Sequence, residues 1–172
     1  PTWSIVGGKL TTCRSLAEES VKKIFAKIDA PVVGTWRQRV LPGCLSESEQ
    51  EACVRETREL AIKTGVPIES VDSVVQWTVS LFGSRGPAVF ETMRQCPQAN
   101  ELPPLIGNSG LPTAAAVFVI EKEWAKSLGD LIERRLMLIF EPQLSLPTLH
   151  GLADVLMVMG RLKQSDREST IA

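Results

Sequence analysis

Residues 67–83 read Pro-Ile-Glu-Ser-Val-Asp-Ser-Val-Val-Gln-Trp-Thr-Val-Ser-Leu-Phe-Gly, and this stretch decides the fold class. Pro67 is suited to open a helix, and Gly83 is suited to end one. Between them, apolar side chains recur at helical spacing, which predicts an amphipathic helix packed against a core. The face that this helix would bury consists of Val71, Val74, Val75, Thr78, Leu81 and Phe82.

The same helical spacing continues on both sides of this stretch. Ser46 with Glu49 has the form of a capping box, and Ser127 with Asp130 repeats that form further along the chain. Gly65 stands where a glycine commonly follows a helix. Residues 41–165 are therefore predicted to form an all-α domain of five to seven helices. The predicted helices cover residues 46–64, 67–83, 87–95, 112–126, 127–140 and 147–163, with an irregular loop at 97–112.

Residues 1–30 follow a different pattern. Residues 3–6 form a short apolar run that predicts a strand, and Gly7-Gly8 predicts a tight turn after it. Strand, turn and helix make half of an α/β unit, in which a single strand has no neighbour to pair with. We therefore expect an arm that is displaced, swapped onto another copy or disordered. The helix of this arm would present Leu16, Val21, Ile24, Phe25 and Ile28 on one face.

The remaining boundaries follow from composition and from the opening residues. Prolines and glycines predict a connector over residues 31–40, and polar residues predict a frayed tail over 166–172. The chain opens on Pro-Thr-Trp-Ser-Ile-Val-Gly-Gly rather than on Met, which reads like the middle of a domain. We therefore expect a fragment of a longer protein.

Composition argues against several classes of function. Nineteen Lys and Arg against 20 Asp and Glu give a net charge of −1 without a basic block, so no nucleic-acid partner is expected. Four irregularly spaced cysteines and one histidine, His150, predict reduced thiols and no metal site. His150 lies at a predicted helix start with no motif around it and is interpreted as a surface or capping residue. No run reaches the ~18 apolar residues of a membrane span.

The segment Gly7-Gly8-Lys9-Leu10-Thr11-Thr12 is the local motif with chemical promise. Two glycines let the backbone pass close to a ligand, and the start of a helix offers unpaired N–H groups at its positive end. Lys9 adds a full positive charge at that same end. An ordinary turn with a solvated lysine remains an open alternative on spacing alone. A P-loop is excluded, because Trp3 and Leu10 stand where that motif requires Gly and Ser or Thr.

Four short segments, in order, resemble the FAD-dependent sn-glycerol-3-phosphate dehydrogenases. Residues 6–18 are similar to the signature V-G-G-K-x-T-T-Y-R-x-x-A-E of that family, and Leu41-Pro42-Gly43 is similar to its L-P-G-G. Leu81-Phe82-Gly83-Ser84 resembles its Y-G-S/T, and residues 123–135 resemble its E-W/M-A…L-x-D-x-L-x-R-R-T run. The chain departs from the family at four positions, where Tyr, Gly, Tyr and Thr are replaced by Cys13, Cys44, Phe82 and Leu136.

The resemblance implies a helical carboxy-terminal cap domain preceded by the last strand, turn and helix of a missing FAD-binding domain. It implies oxidation of glycerol 3-phosphate to dihydroxyacetone phosphate, with electrons passed to quinone at the surface of the inner membrane by a cytoplasmic, peripheral enzyme. Lys9 would be catalytic, and the fragment by itself would bind no FAD and be inactive. The implied cofactor-binding residues are Gly7, Gly8, Lys9, Leu10 and Thr11.

Two alternatives stay open at this point. The helical part could be an interaction module that docks subunits of a homo-oligomer or the membrane surface. The chain could also belong to a glycerol-3-phosphate oxidase, which uses oxygen as the acceptor. The four departures leave both the acceptor and full activity undecided.

Overall fold

A computed structural model describes residues 4–7, 9–32, 34 and 39–171, apart from the side chain of Leu10. The chain divides into two compact units, Pro1–Leu41 and Pro42–Ala172. Each unit has its own local structure.

The first unit contains one α-helix, α1, at Cys13–Lys27, among its described residues. A 3-10 turn at Leu10–Thr12 leads into it, and Thr12 is the N-cap residue, although its side chain makes no cap hydrogen bond. The predicted strand is wrong over its described part, because Ser4, Ile5 and Val6 have no strand pairing. A strand needs a partner for its N–H and C=O groups, and the described part of the chain supplies none.

The second unit is helical, which confirms the predicted all-α class. Its α-helices are α2 (Glu47–Lys63), α3 (Val71–Phe82), α4 (Gly86–Arg94), α5 (Thr113–Lys122), α6 (Leu146–Val158) and α7 (Arg167–Ile171). A π-helix spans Asp130–Arg135. Shorter 3-10 helices cover Ile68–Ser70, Gly83–Arg85, Pro97–Glu101, Leu138–Phe140 and Gln164–Asp166. Within the described ranges, pairing of extended backbone is limited to one isolated bridge between Leu105 and Pro112.

Helix α5 lies at the centre of this unit. Its residues 113–120 are all buried, so it has no solvated face over those two turns. It packs against α4 and α6, while α2 packs against α3 and α4. Helix α4 thus contacts both α2 and α5, and the core is continuous from α2 to α6.

The predicted helix ends are confirmed where a specific residue defines them. The backbone N–H of Ser46 donates to Glu49 Oε2 at 3.1 Å, which closes one half of the capping box. This contact, with the Ser46 hydroxyl, lowers the pKa of Glu49. Gly65 follows α2 in the left-handed conformation, with φ of +85°. Helix α3 buries Val71, Val74, Val75, Thr78 and Phe82, which are five of the six residues predicted for that face.

The single helix predicted over residues 127–140 is wrong. Leu131, Leu136 and Leu138 are all buried, and residues five apart do not share a face of a 3.6-residue helix. The backbone solves this with a π turn, in which the N–H of Leu136 donates to the carbonyl of Leu131 at 2.9 Å. Met137 then adopts a left-handed conformation, with φ of +54°, before the chain turns into a 3-10 helix.

Two other helices end earlier than their patterns predict. Helix α5 stops at Lys122, because the N–H groups of Glu123 and Ala125 both close on the carbonyl of Val119, each at 3.1 Å. Helix α6 stops at Val158, because Gly160 turns left-handed with φ of +67° and the chain folds back. The sequence pattern predicts that these two helices end later, at about residues 126 and 163.

Residues 167–171, within the region predicted to be a frayed tail, form α7 and make side-chain contacts. Arg167 of α7 donates to Asp154 Oδ1 at 2.8 Å and pairs with Glu168 at 2.6 Å. These contacts raise the pKa of Arg167. Ile171 packs against the edge of the core. The packing of Ile171 against the core and the ion pair of Arg167 with Asp154 therefore hold α7 in place.

Candidate functional site

The Lys9 turn, residues 7–12, leads directly into α1. The carbonyl of Lys9 accepts two hydrogen bonds from Thr12, one from the backbone N–H at 3.2 Å and one from Oγ1 at 3.0 Å. Thr12 therefore closes the turn onto Lys9 instead of capping the next helical turn with its side chain. The result is a short 3-10 entry that fixes the Lys9 backbone at the positive end of the helix.

The structure places the predicted site residues as follows. Gly7, Lys9 and Thr11 are exposed, and the backbone of Leu10 begins the 3-10 turn. Gly8 and the side chain of Leu10 lie outside the described residues. No hydrogen bond or ion pair to the Lys9 ammonium exists within the described ranges. A lysine charge at a helix start opposes the helix dipole, so this position is stable only in water or beside something electron-rich.

An apolar groove of about 450 Å³ runs beside this turn. Segment 4–7 lies along α1 here, and a Cβ on Gly7 would come within 2.7 Å of Leu16 Cδ2. Ile5 is 65% exposed and Val6 is 87% exposed, although both are apolar. Helix α1 buries none of its residues fully. Such an apolar surface is typical of a segment that packs against further protein.

A glycine joint, formed by Gly43 and Gly83, connects the start of the second unit to the end of α3. The N–H of Ser84 donates to the carbonyl of Gly43 at 3.1 Å. Both glycines are left-handed, with φ of +88° and +56°. A Cβ on Gly83 would lie 1.7 Å from the Gly43 oxygen, so no side chain fits between the two backbones. Glycine is required here for close approach as well as for conformation.

An arginine clamp lies next to the glycine joint in sequence. Arg85 Nη1 bonds Glu123 Oε1 at 2.6 Å, and the guanidinium lies 4.7 Å from the centre of the Phe118 ring. Phe82 meets Phe118 edge-on at 5.4 Å. Charge pairing and a cation–π contact thus tie the end of α3 to the end of α5. Sequence reasoning missed this pair, because residues 38 positions apart share no periodicity.

The Glu123 end of the clamp continues into a capped segment. Trp124 is left-handed, with φ of +61°, and 82% exposed. Asp130 accepts the backbone N–H groups of Lys126 at 3.0 Å and Ser127 at 3.1 Å, and it pairs with Arg134 at 2.5 Å. The Lys126 N–H, then Arg134 and Ser127, hold the pKa of Asp130 far below its ordinary value. The predicted Ser127–Asp130 cap is confirmed.

The other candidate residues do not assemble a reactive site. His150 is half-buried, and its Nδ1 lies 3.0 Å from Arg167 Nη1. Because a guanidinium only donates hydrogen bonds, His150 Nδ1 accepts this one. The hydrogen bond from Arg167 therefore holds the imidazole ring in place. All four cysteines are free, with Cys53 and Cys96 buried. In the described ranges no group of three or more His, Cys, Asp or Glu side chains could hold a metal. No helix in those ranges is long and apolar enough to cross a membrane.

Comparison with known proteins gives one informative match. No family model matches the sequence, and no solved structure matches it. The chain is 31% identical over 134 residues to a glycerol-3-phosphate dehydrogenase of Synechocystis sp.. The similarity to a glycerol-3-phosphate dehydrogenase therefore extends over most of this chain. The match covers 77% of this chain and 22% of the relative, so the chain spans about a fifth of that protein's length.

Three of the segments that resemble glycerol-3-phosphate dehydrogenase motifs meet in the fold. In the glycine joint, Gly43 of the Leu41-Pro42-Gly43 segment contacts Gly83 of segment 81–84. In the arginine clamp, Arg85, the residue after segment 81–84, pairs with Glu123 of segment 123–135. Their common feature is thus structural, because they form the junction where the helical unit begins. The Lys9 turn belongs to the other unit, and Lys9 is exposed there.

Proposed function

We propose that this chain is the carboxy-terminal part of an FAD-dependent glycerol-3-phosphate dehydrogenase. The observation that carries the proposal is the 31% identity over 134 residues to the Synechocystis enzyme. The complete protein would oxidise sn-glycerol 3-phosphate to dihydroxyacetone phosphate and pass the electrons to quinone at the inner membrane, working as a cytoplasmic, peripheral enzyme. The chain by itself would be inactive, since the fold described above contains no dinucleotide-binding sheet.

The residues of the Lys9 turn fit a flavin partner. Lys9 lies at the start of α1 with no ion-pair partner for its ammonium among the described residues, and Thr11 is exposed beside it. Segment 4–7, which precedes them, keeps apolar surface exposed at Ile5 and Val6. A large, flat, partly apolar group with an electron-rich edge complements this combination of charge and apolar surface. Gly7, Lys9, Leu10 and Thr11, with Gly8, would lie along that group.

FAD, when bound, would accept a hydride from the substrate carbon. The task of Lys9 is then to hold a fixed positive charge where negative charge develops during the reaction. The hydrogen bonds from Thr12 to the Lys9 carbonyl set the turn in advance, so little reorganisation is needed when that charge appears. The exposed apolar residues of segment 4–7 would exclude water from the site once covered.

A chimera tests this proposal, in which the chain replaces the matched region of the Synechocystis relative. FAD content and circular dichroism establish that the chimera assembles, and stopped-flow absorbance follows bleaching of the flavin by glycerol 3-phosphate. Lys9→Ala is expected to slow this reduction by roughly 10²-fold, as loss of one donor aimed at developing charge does. Lys9→Arg is expected to rescue poorly, because a planar fork does not replace a compact ammonium.

Lys27→Ala is the matched control, since Lys27 is an exposed lysine at the opposite end of α1. It is expected to reduce its flavin at the parent rate. A Lys9→Ala rate equal to that of the parent would show that Lys9 is an ordinary solvated turn residue. Peroxide formation under air, without quinone reduction, would assign the protein to the oxidases instead.

We propose docking of subunits or of the membrane surface as a second role of the helical unit. The supporting observation is Trp124, a large side chain that is 82% exposed on a left-handed backbone. Exposed tryptophans of this kind often anchor interfaces. Residues 41–172 expressed alone would self-associate or bind lipid vesicles, and Trp124→Ser would abolish that behaviour. A monomer that ignores vesicles would contradict this role and leave the dehydrogenase proposal standing.

A further inference from the structure

Helix α7 is attached to α6 through the side chain of one arginine. Arg167 donates through Nε to Asp154 Oδ1 at 2.8 Å and through Nη1 to His150 Nδ1 at 3.0 Å. Its third partner, Glu168, is the next residue of α7 itself. Ile171 adds an apolar contact with the edge of the core. Both hydrogen bonds from Arg167 to α6 therefore end on residues that lie one helical turn apart.

The contact between Arg167 and His150 exists only while the imidazole ring is neutral. A guanidinium has no acceptor, so Arg167 donates and His150 Nδ1 accepts. An imidazolium carries a proton on both ring nitrogens and has no lone pair left to accept with. Protonation of His150 thus replaces a hydrogen bond by two positive charges in contact. The Arg167 side chain is 17% exposed, so water screens this repulsion poorly.

Protonation of His150 also weakens the contact between Arg167 and Asp154. His150 and Asp154 stand four residues apart on α6, where an imidazolium and a carboxylate attract each other. A protonated His150 therefore competes with Arg167 for this carboxylate. Arg167 keeps its pair with Glu168, but that pair lies within α7 and attaches nothing to α6. A single proton thus acts on both polar contacts between the two helices.

Other charged groups on the surrounding elements are few. The acidic groups on α6, on α7 and on the 3-10 helix that packs against α6 are Asp154, Glu168 and Glu101. Helix α5 starts at Thr113, in the same pocket wall as His150, so its charges at residues 121 and 122 lie about 12 Å further along. Carboxylates ordinarily titrate near pH 4 and histidine near pH 6.5, which separates their effects in a titration.

We propose that His150 is a pH switch, which holds α7 against α6 at neutral pH and releases it as the pH falls through the ordinary titration range of histidine. Histidine is the side chain whose ordinary titration lies between pH 5 and 8, and this sequence contains one histidine. The attached form requires the neutral ring, so it binds fewer protons than the released form. Attachment is therefore strongest above this range and is lost as the pH falls.

Release of α7 changes both the helix and the surface beneath it. A helix of five residues does not persist in water without packing, so released α7 unfolds. The edge of the core that Ile171 contacts becomes exposed. The switch concerns the second unit alone and is independent of the proposed dehydrogenase function.

The methyl group of Ile171 reports attachment, because it lies against the core in the attached form and in water after release. Its chemical shift is followed in ¹H–¹³C spectra of the whole chain from pH 8 to pH 5. Hydrogen exchange of the Thr170 and Ile171 amides, corrected for the pH dependence of intrinsic exchange, detects released populations too small to move the methyl signal. The ratio of attached to released α7 is expected to fall about tenfold between pH 7.5 and pH 5.5.

Three variants isolate the charge of His150. His150→Gln stays neutral at every pH and keeps an oxygen that accepts from Arg167, so it is expected to hold α7 down to pH 5. His150→Lys carries a fixed charge and no acceptor, and it is expected to favour release about tenfold already at pH 8. Arg167→Gln removes the opposing charge and is expected to abolish the pH dependence. Arg161→Gln, at an exposed arginine between α6 and α7, is the matched control and is expected to behave like the parent.

Circular dichroism at pH 8 and pH 5 establishes that the other helices stay folded in each variant. A fall in the parent and in Arg161→Gln that is absent from His150→Gln and Arg167→Gln supports the switch. A parent without pH dependence in this range overturns it, and so does an unchanged dependence in His150→Gln or a fall that accompanies general unfolding. If His150→Gln does not fold, Arg167→Gln decides alone, since a dependence that persists there contradicts the switch.

Discussion

Substitution of Gly83 by alanine tests the glycine joint. Gly83 has φ of 56° and ψ of −130°, a conformation that residues with a Cβ rarely adopt, and strain of this kind costs about 1–3 kcal/mol. The added Cβ would lie 1.7 Å from the carbonyl oxygen of Gly43, whereas ordinary contacts begin near 3.4 Å. The Gly43 backbone would have to move by the difference, about 1.7 Å. Because that oxygen accepts the N–H of Ser84, the movement breaks a bond worth about 1 kcal/mol.

Gly83→Ala is therefore expected to lower the free energy of unfolding by about 2–4 kcal/mol. Such a loss is a large part of the 5–15 kcal/mol typical of a domain. Urea unfolding measures it, with circular dichroism for the helices and tryptophan fluorescence for the joint. Trp77 is a suitable reporter, since its ring lies 6.3 Å from that of Phe82, the residue before Gly83.

Gly65→Ala is the matched control for this experiment. Gly65 is also left-handed, with φ of +85°, but a Cβ there would meet nothing within 4 Å. Alanine at this position adopts an unfavourable backbone conformation but makes no steric clash. The free energy of unfolding is therefore expected to fall by about 1 kcal/mol. If Gly83→Ala loses no more than Gly65→Ala, the close contact with Gly43 does not exist in solution and the joint is refuted.

The remaining predictions concern the arginine clamp and the Asp130 cap. Arg85→Met and Glu123→Gln, combined in a double-mutant cycle, are expected to show a coupling of about 1 kcal/mol, and additive losses would refute the clamp. Asp130→Ala is expected to cost about 1 kcal/mol at pH 7, as loss of a cap does. Because the folded pKa of Asp130 is depressed below 3.8, this difference is full above that pH and shrinks as pH falls further. A difference that is constant from pH 7 to pH 2.5 in urea titrations would contradict the charge-assisted cap.

Periodicity and local chemistry predicted most of the fold from the sequence. The face of α3, the caps at Ser46 and at Ser127 with Asp130, and the glycine stop after α2 all depend on residues within a few positions of each other. Local rules suffice there because the interacting groups share one helical turn. The strand predicted at residues 3–6 is wrong over residues 4–6, because the pairing of a strand depends on residues that are distant in sequence.

Physical reasoning singled out the Lys9 turn as a motif with chemical promise, and the resemblance then assigned it to a flavin site. The structure describes Gly7, Lys9 and Thr11 as exposed at the start of α1, so their function stays a prediction. Nothing in the sequence distinguished Thr113 from other threonines. Its side chain is buried, and its hydroxyl has no hydrogen-bond partner within the described residues; both properties arise only in the packed chain.

The sequence by itself determined that the second unit is helical, where most of its helices begin, and that the chain resembles part of the glycerol-3-phosphate dehydrogenases. Tertiary structure decided the glycine joint between Gly43 and Gly83, the clamp between Arg85 and Glu123, and the π turn before Leu136. The division has a physical cause. Helix formation follows from side chains three or four residues apart, whereas close backbone contacts, long-range ion pairs and a shifted helical register follow from how finished helices fill a common core.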